Sequence, residues 1–169
     1  MPIRVLEPRD ARAFRDLRLR ALREHPEAFG RTPEEMDSAD AVAERFRRSA
    51  GSDADAVLGA FDGDALVGVA GCHRADGAKR RHVAVIWGVY VAPEWRRTGV
   101  ARRLFLATVA HARTWPGLDA LWLDVTTVNA AARALYASCG FESAGLRPRA
   151  LKVGDRLYDE ELMILRLSP

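Results

Sequence analysis

The chain of 169 residues is poor in lysine and cysteine and has no long apolar run. Lys79 and Lys152 are its two lysines, and Arg supplies the rest of its 26 basic residues, which reads as a genome-wide composition bias rather than a functional patch. Against 23 acidic residues they leave a formal net charge of +3, too small a margin to argue for a nucleic-acid partner by itself. Two cysteines, Cys72 and Cys139, stand apart with no C-x-x-C or Cys/His grouping. That excludes a disulfide scaffold or a structural zinc site and fits a reduced, cytoplasmic protein. The histidines His25, His73, His82 and His111 lack metal-ligand spacing, so no metal is expected. Met1-Pro2-Ile3-Arg4 opens no secretory leader. The longest uncharged stretch, 83–93, falls well short of the roughly 20 residues that cross a bilayer, so no membrane partner is expected either.

What is present is 49% apolar and 29% charged residues, enough for one soluble domain over 1–169 with a real core. Residues 3–6 read as a short strand. Asp10 then caps a helix with Phe14, Leu17, Ala21 and Leu22 at helical spacing, and Pro26 stops it. Thr32-Pro33-Glu34-Glu35 is a helix-start signal, followed by a helix with Val42, Phe46 and Ser49 on one side, ending near Gly51. Residues 56–61 and 65–73 flank the turn Asp62-Gly63-Asp64 as a hairpin. The strongest strand is 82–91. Strict alternation would put Val83, Val85, Trp87, Val89 and Val91 on one face and Ala84, Ile86 and Tyr90 on the other. Both faces are apolar, so the strand is central and covered on both sides. A helix follows over 99–113, then a strand over 120–125. Asn129 caps a helix ending at Gly140, and strands over 141–146 and 157–167 close the chain. This order predicts an α/β fold, a mixed sheet with helices on both faces.

The chemistry concentrates in residues 89–101. A buried strand ends, a basic loop turns, and a helix begins at Gly99. The first amides of a helix have no intrahelical partner, and the dipole adds partial positive charge there, so the place suits a phosphate. Gly99 and Ala101 let backbone approach closely, and Arg96, Arg97, Arg102 and Arg103 add charge. Asn129, Ala132, Tyr136, Gly140 and Phe141 then satisfy N-x-x-A-x-x-x-Y-x-x-x-G-F.

With these two blocks the chain resembles the GCN5-related N-acetyltransferase superfamily across nearly its whole element order. The resemblance implies about seven strands, mostly antiparallel, with a splay between the fourth and fifth. It implies acetyl-CoA as co-substrate and direct acetyl transfer to a primary amine in a ternary complex. The diphosphate would rest on the loop and helix start, Arg96, Arg97, Thr98, Gly99, Val100, Ala101 and Arg102. The pantetheine arm would pair with Val89, Tyr90 and Val91. Asn129 would sit near the cofactor, and Tyr136 would hydrogen-bond or protonate the leaving thiolate. Three departures stand out. Arg97 replaces a common Gly, so the loop must turn without that freedom. Ala101 replaces another. Trp87-Gly88-Val89 stands where some members place a Glu base. The base is therefore open among His73, His82, Glu94, Asp124 and Glu160.

The acceptor pocket is expected from residues 25–35 and the last strand pair, with Phe29 and Trp87 as candidate walls and Asp159, Glu160 and Glu161 as an acidic lure. The expected acceptor is an amine-bearing small molecule, peptide or protein, and the chain a monomer or homodimer. The missing Glu leaves a second reading, a non-catalytic module that senses acetyl-CoA. A third, nucleic-acid binding, rests only on the pI of about 9.2 and the pairs Arg80-Arg81 and Arg96-Arg97, and is disfavoured.

Overall fold

A computed structural model describes residues 1–167 of the protein. In chain order its elements are β1 (Ile3–Val5), α1 (Ala11–Glu24), α2 (Ala39–Ser49), β2 (Asp55–Asp62), β3 (Ala65–Arg74), β4 (Val83–Val91), α3 (Val100–Arg113), β5 (Ala120–Thr126), α4 (Ala130–Ser138), β6 (Glu142–Val153) and β7 (Arg156–Arg166). The strands form one sheet in the order β1-β2-β3-β4-β5-β7-β6, antiparallel throughout except for the parallel pair β4–β5. That is the mixed sheet expected from the order of elements, mostly antiparallel as the resemblance implies.

Two apolar layers hold the sheet. On one face α1 and α2 pack Phe14, Leu17, Ala21, Val42 and Phe46 against Val57, Val69 and Tyr90. On the other, α3 and α4 pack Leu104, Phe105, Val109 and Tyr136 against Val67, Ile86, Val91 and Leu121. Leu104, Phe105 and Leu121 are fully buried, each contributing roughly 1.5–3 kcal/mol by leaving water.

Three local differences from the sequence reading have physical causes. The Thr32 signal yields one 3-10 turn, Pro33–Glu35, with its capping box intact; Met36 then returns to extended backbone. Ser38 restarts the chain as α2 by accepting from the Ala41 N–H at 3.2 Å. Strand β6 continues to Val153 rather than stopping at 146. It lies at the sheet edge, where the missing donor of Pro148 is tolerated, and its register slips between Arg147 and Leu151 with Arg149 at φ +56°. The third difference shapes the site. Val69 pairs with Tyr90 but Gly71 with Trp87, so β4 carries one extra residue, and Gly88 takes φ +66° there. The bulge reverses the alternation. Tyr90 shares the α1/α2 face with Trp87, while Val89 and Val91 share the α3 face with Ile86.

Candidate active site

The pairing of β4 with β5 covers only Val83–Ala120, Ala84–Leu121 and Val85–Trp122. Beyond that point β4 runs on to Val91 and β5 to Thr126 without joining. The strands part, and a cleft of about 680 Å³ opens between them. It passes through the sheet: Val89, Ala101, Arg102, Leu135 and Tyr136 line it from the α3/α4 side, and His25, Phe29 and Trp87 from the α1/α2 side.

At one end stands the start of α3. Gly99 is its N-cap in the left-handed region at φ +82°, no side chain caps the helix, and no acidic residue occupies the first turn. The first intrahelical bond is donated by the Arg103 N–H to the Gly99 carbonyl at 3.1 Å. The amides before it therefore remain available to an anion. The turn expected without glycine is made by strain: Arg97 adopts φ +62°, a conformation that costs a side-chain-bearing residue about 1–2 kcal/mol.

Arg96 is held rather than free. Its Nε donates to the Val91 carbonyl at 3.1 Å, and its Nη2 lies 3.1 Å from His25 Nε2 and 3.6 Å from Glu24. Glu24 also accepts from the Tyr90 hydroxyl at 2.6 Å and from Arg20 at 2.7 Å, which together lower its pKa. Burial first, then the bond to Glu24, push the Tyr90 phenol up to about 12. This network ties the end of β4 to α1. Thr98 donates to the Trp95 carbonyl at 2.6 Å, and Val100 is buried in the core; neither side chain lines the cleft.

Tyr136 projects from α4, 7% exposed, its ring 4.8 Å from Phe105 between centroids. Burial raises its pKa, so the phenol keeps its proton across the physiological range. Asn129 accepts from the Ala132 N–H at 3.2 Å and so caps α4 while also lining the cleft.

The other end is built from side chains. Asp124 on β5 lines the cleft and pairs with Arg147 of β6. Arg147 also lies 3.8 Å from Glu160 on β7. Burial, then the charge of Asp124, raise the Glu160 pKa against the pull of Arg147. Of the five candidate bases, Asp124 alone lines the cleft. His73 borders a separate surface hollow, and Glu94 is paired to Arg20 at 2.8 Å. The other members of the acidic lure are spoken for: Glu161 binds Arg133 at 2.5 Å, and Asp159 accepts from the Arg149 N–H at 2.8 Å. Phe29 and Trp87 line the cleft, together with His25, Glu27 and Ala28.

Two basic residues escaped the sequence reading. Arg147 gave no signal beyond its place in a closing strand. Arg18 did: it follows Phe14 by four positions and precedes Leu22 by four, which puts a charge on the buried stripe of α1. Among the described residues no helix is long and apolar enough to cross a membrane.

The parallel pair β4–β5 thus parts directly before the uncapped start of α3. The sequence pattern of the acetyltransferase (GNAT) family matches residues 15–141, and the chain belongs to that family. It is 35% identical over 146 residues to mycothiol acetyltransferase of Thermobispora bispora, covering 82% of this chain and 45% of that one. It is 34% identical over 85 residues to the [ribosomal protein bS18]-alanine N-acetyltransferase of Escherichia coli K12, covering 50% and 57%. The chain thus spans about half the length of these curated relatives. Its fold matches that of yncA from Salmonella typhimurium, solved with its cofactor acetyl-CoA, at a TM-score of 0.88 and 22% identity, covering 100% of this chain and 95% of that one.

Proposed function

We propose that the protein is an N-acetyltransferase that carries acetyl from acetyl-CoA directly to the primary amine of an acceptor held at the other end of the cleft. The observation that carries this reading is the parting of β4 from β5 beyond Val85 and Trp122, open at the uncapped start of α3. The site fits the co-substrate: free amides and Arg97 and Arg102 for a diphosphate, and an unpaired edge of β4 at Val89, Tyr90 and Val91 for an amide-bearing arm. Acetyl-CoA, when bound, supplies an acetyl group activated as a thioester.

The chain's own groups then have four tasks. Amides of residues 97–102 hold the diphosphate, with Arg97 and Arg102 adding charge and Arg96 bracing the loop. An N–H of the unpaired β4 edge faces the thioester oxygen, where negative charge grows as the amine nitrogen bonds to the carbonyl carbon. Asp124 takes the amine's proton, directly or through water. The demand is real, because an amine of ordinary pKa near 10.4 is neutral only on the order of one time in a thousand at pH 7. Tyr136 donates a hydrogen bond to the sulfur as the C–S bond breaks. Its raised pKa makes this bond, rather than full proton loss, its contribution.

The relatives' names, mycothiol acetyltransferase and ribosomal protein bS18-alanine N-acetyltransferase, leave small molecule and protein both in range; the aromatic walls Phe29 and Trp87 favour a small amine. The test is calorimetric titration with acetyl-CoA followed by CoA release with an amine panel. Uptake with amine-dependent release supports the reading. Uptake without release on any amine would favour a sensing module, and no uptake would remove both.

A further inference from the structure

Arg18 is 6% exposed, and its guanidinium has no hydrogen bond or ion pair among the described residues; Nη1 is fully buried without a partner. Burial depresses its pKa to about 10, with the nearby Arg31 charge adding to the effect. A buried cation without a counter-ion is costly, and native proteins seldom leave one. None of the carboxylates of the surrounding elements pairs with it: Asp37 pairs with Arg31, Asp55 with Arg45, Glu24 with Arg20 and Tyr90, and Glu27 lies 3.6 Å from His25. Two aromatic faces flank the group, Phe29 at 4.3 Å and Trp87 at 5.9 Å, but they satisfy none of its donors.

The position of this cation is the second observation. Phe29, Trp87 and Gly88 all line the cleft. A Cβ at Gly88 would lie 3.5 Å from Arg18 Cζ and from Nη1, so the guanidinium packs over the bulge of β4, directly behind residues that line the cleft. This is the α1/α2 side, the side opposite Ala101 and Tyr136.

We propose that Arg18 binds a carboxylate of the acceptor, so that the protein acetylates amino-acid-like amines in preference to simple amines or polyamines. The inference rests on the acetyltransferase reading. A planar carboxylate can take the guanidinium's paired donors, which a neutral or cationic group cannot. Asp124, on β5 across the cleft, then receives the ammonium end, and the two charges together orient a zwitterion. The apolar walls Phe29 and Trp87 take its side chain.

The test compares each standard L-amino acid with its decarboxylated amine and its carboxamide, in the wild type and in Arg18→Met, by CoA release. In parallel, Arg18 Nε–H is followed by NMR in arginine-labelled protein as the same amino acids and propionate are added. The expected result is a preference for at least one acid over its amine on the order of thirtyfold or more. Arg18→Met collapses that preference while leaving acetyl-CoA affinity unchanged and the melting temperature equal or higher, because a buried charge has gone. Arg18→Lys restores part of it. Acetyl-CoA uptake with amines used as fast as acids, or a preference that survives Arg18→Met, would overturn the assignment and leave the acetyltransferase reading standing. So would an Arg18 signal unmoved by every carboxylate. Loss of acetyl-CoA uptake in the wild type would instead remove the underlying reading.

Discussion

The two ends of the cleft are made of different material. Backbone makes the α3 end: the uncapped amides after Gly99, the unpaired edge of β4 and the left-handed turn at Arg97. Side chains make the other: Phe29, Trp87 and Asp124 line it, with Arg18 packed on Phe29, Arg147 paired to Asp124, and Glu160 beside Arg147. A backbone site is fixed by local conformation, so it serves one invariant ligand group and depends little on any one side chain. A side-chain site can be rebuilt residue by residue, which suits it to set the acceptor.

Substitutions sharpen this contrast, the largest effects lying at the side-chain end. Asp124→Asn should lower kcat/KM by about a hundredfold or more while acetyl-CoA affinity, read by calorimetry, stays within about twofold. Tyr136→Phe removes a hydrogen bond made to developing charge and should lower kcat by about tenfold or more, again with acetyl-CoA affinity preserved. Equal loss of both quantities would count against a role at the sulfur. Gly71→Ala drives a Cβ into the Trp87 indole, which must move. Acceptor KM should rise severalfold with acetyl-CoA binding intact. Asn129→Ala removes the cap of α4, with a loss of about 1 kcal/mol and a fall of roughly 2–4 °C in melting temperature. Thr98→Ala, whose side chain faces away from the cleft, should leave acetyl-CoA affinity within about twofold, the smallest effect in the series.

The same contrast has a pH signature. The folded-state pKa of Glu160 is raised by burial and by Asp124, so the native protein holds that proton more tightly than the unfolded chain. Stability from this group is present below the ordinary carboxyl pKa and is lost as pH rises through the raised value. Glu160→Gln should therefore flatten the melting-temperature profile on the mildly acidic side and gain most above that window. A profile unchanged by Glu160→Gln would show that Arg147 fully offsets the burial.

The backbone end was legible in the sequence because its determinants are contiguous. The end of a doubly apolar strand, a basic loop, Gly99 and small Ala101 lie within thirteen residues, and N-x-x-A-x-x-x-Y fixes the next helix by its period. The element order followed for the same reason, since periodicity switched cleanly between strands and helices. The side-chain end was not legible. Asp124 stood among five candidates that only tertiary packing could separate. Strict alternation in β4 placed Tyr90 with Ile86, because a one-residue bulge at Gly88 leaves no mark in an apolar run. The Arg18 signal was present on the stripe of α1, but it gained meaning only once the folded chain was seen to give its guanidinium no partner among the described residues.

The central claim is that the amides opening α3 hold the diphosphate of acetyl-CoA. The direct measurement is the backbone amide NMR spectrum of residues 97–102 during titration with CoA. These amides should show the largest shifts in the protein, downfield as hydrogen bonds to phosphate form, and saturate together with the heat of binding. Saturable CoA binding that leaves them in place would contradict the account.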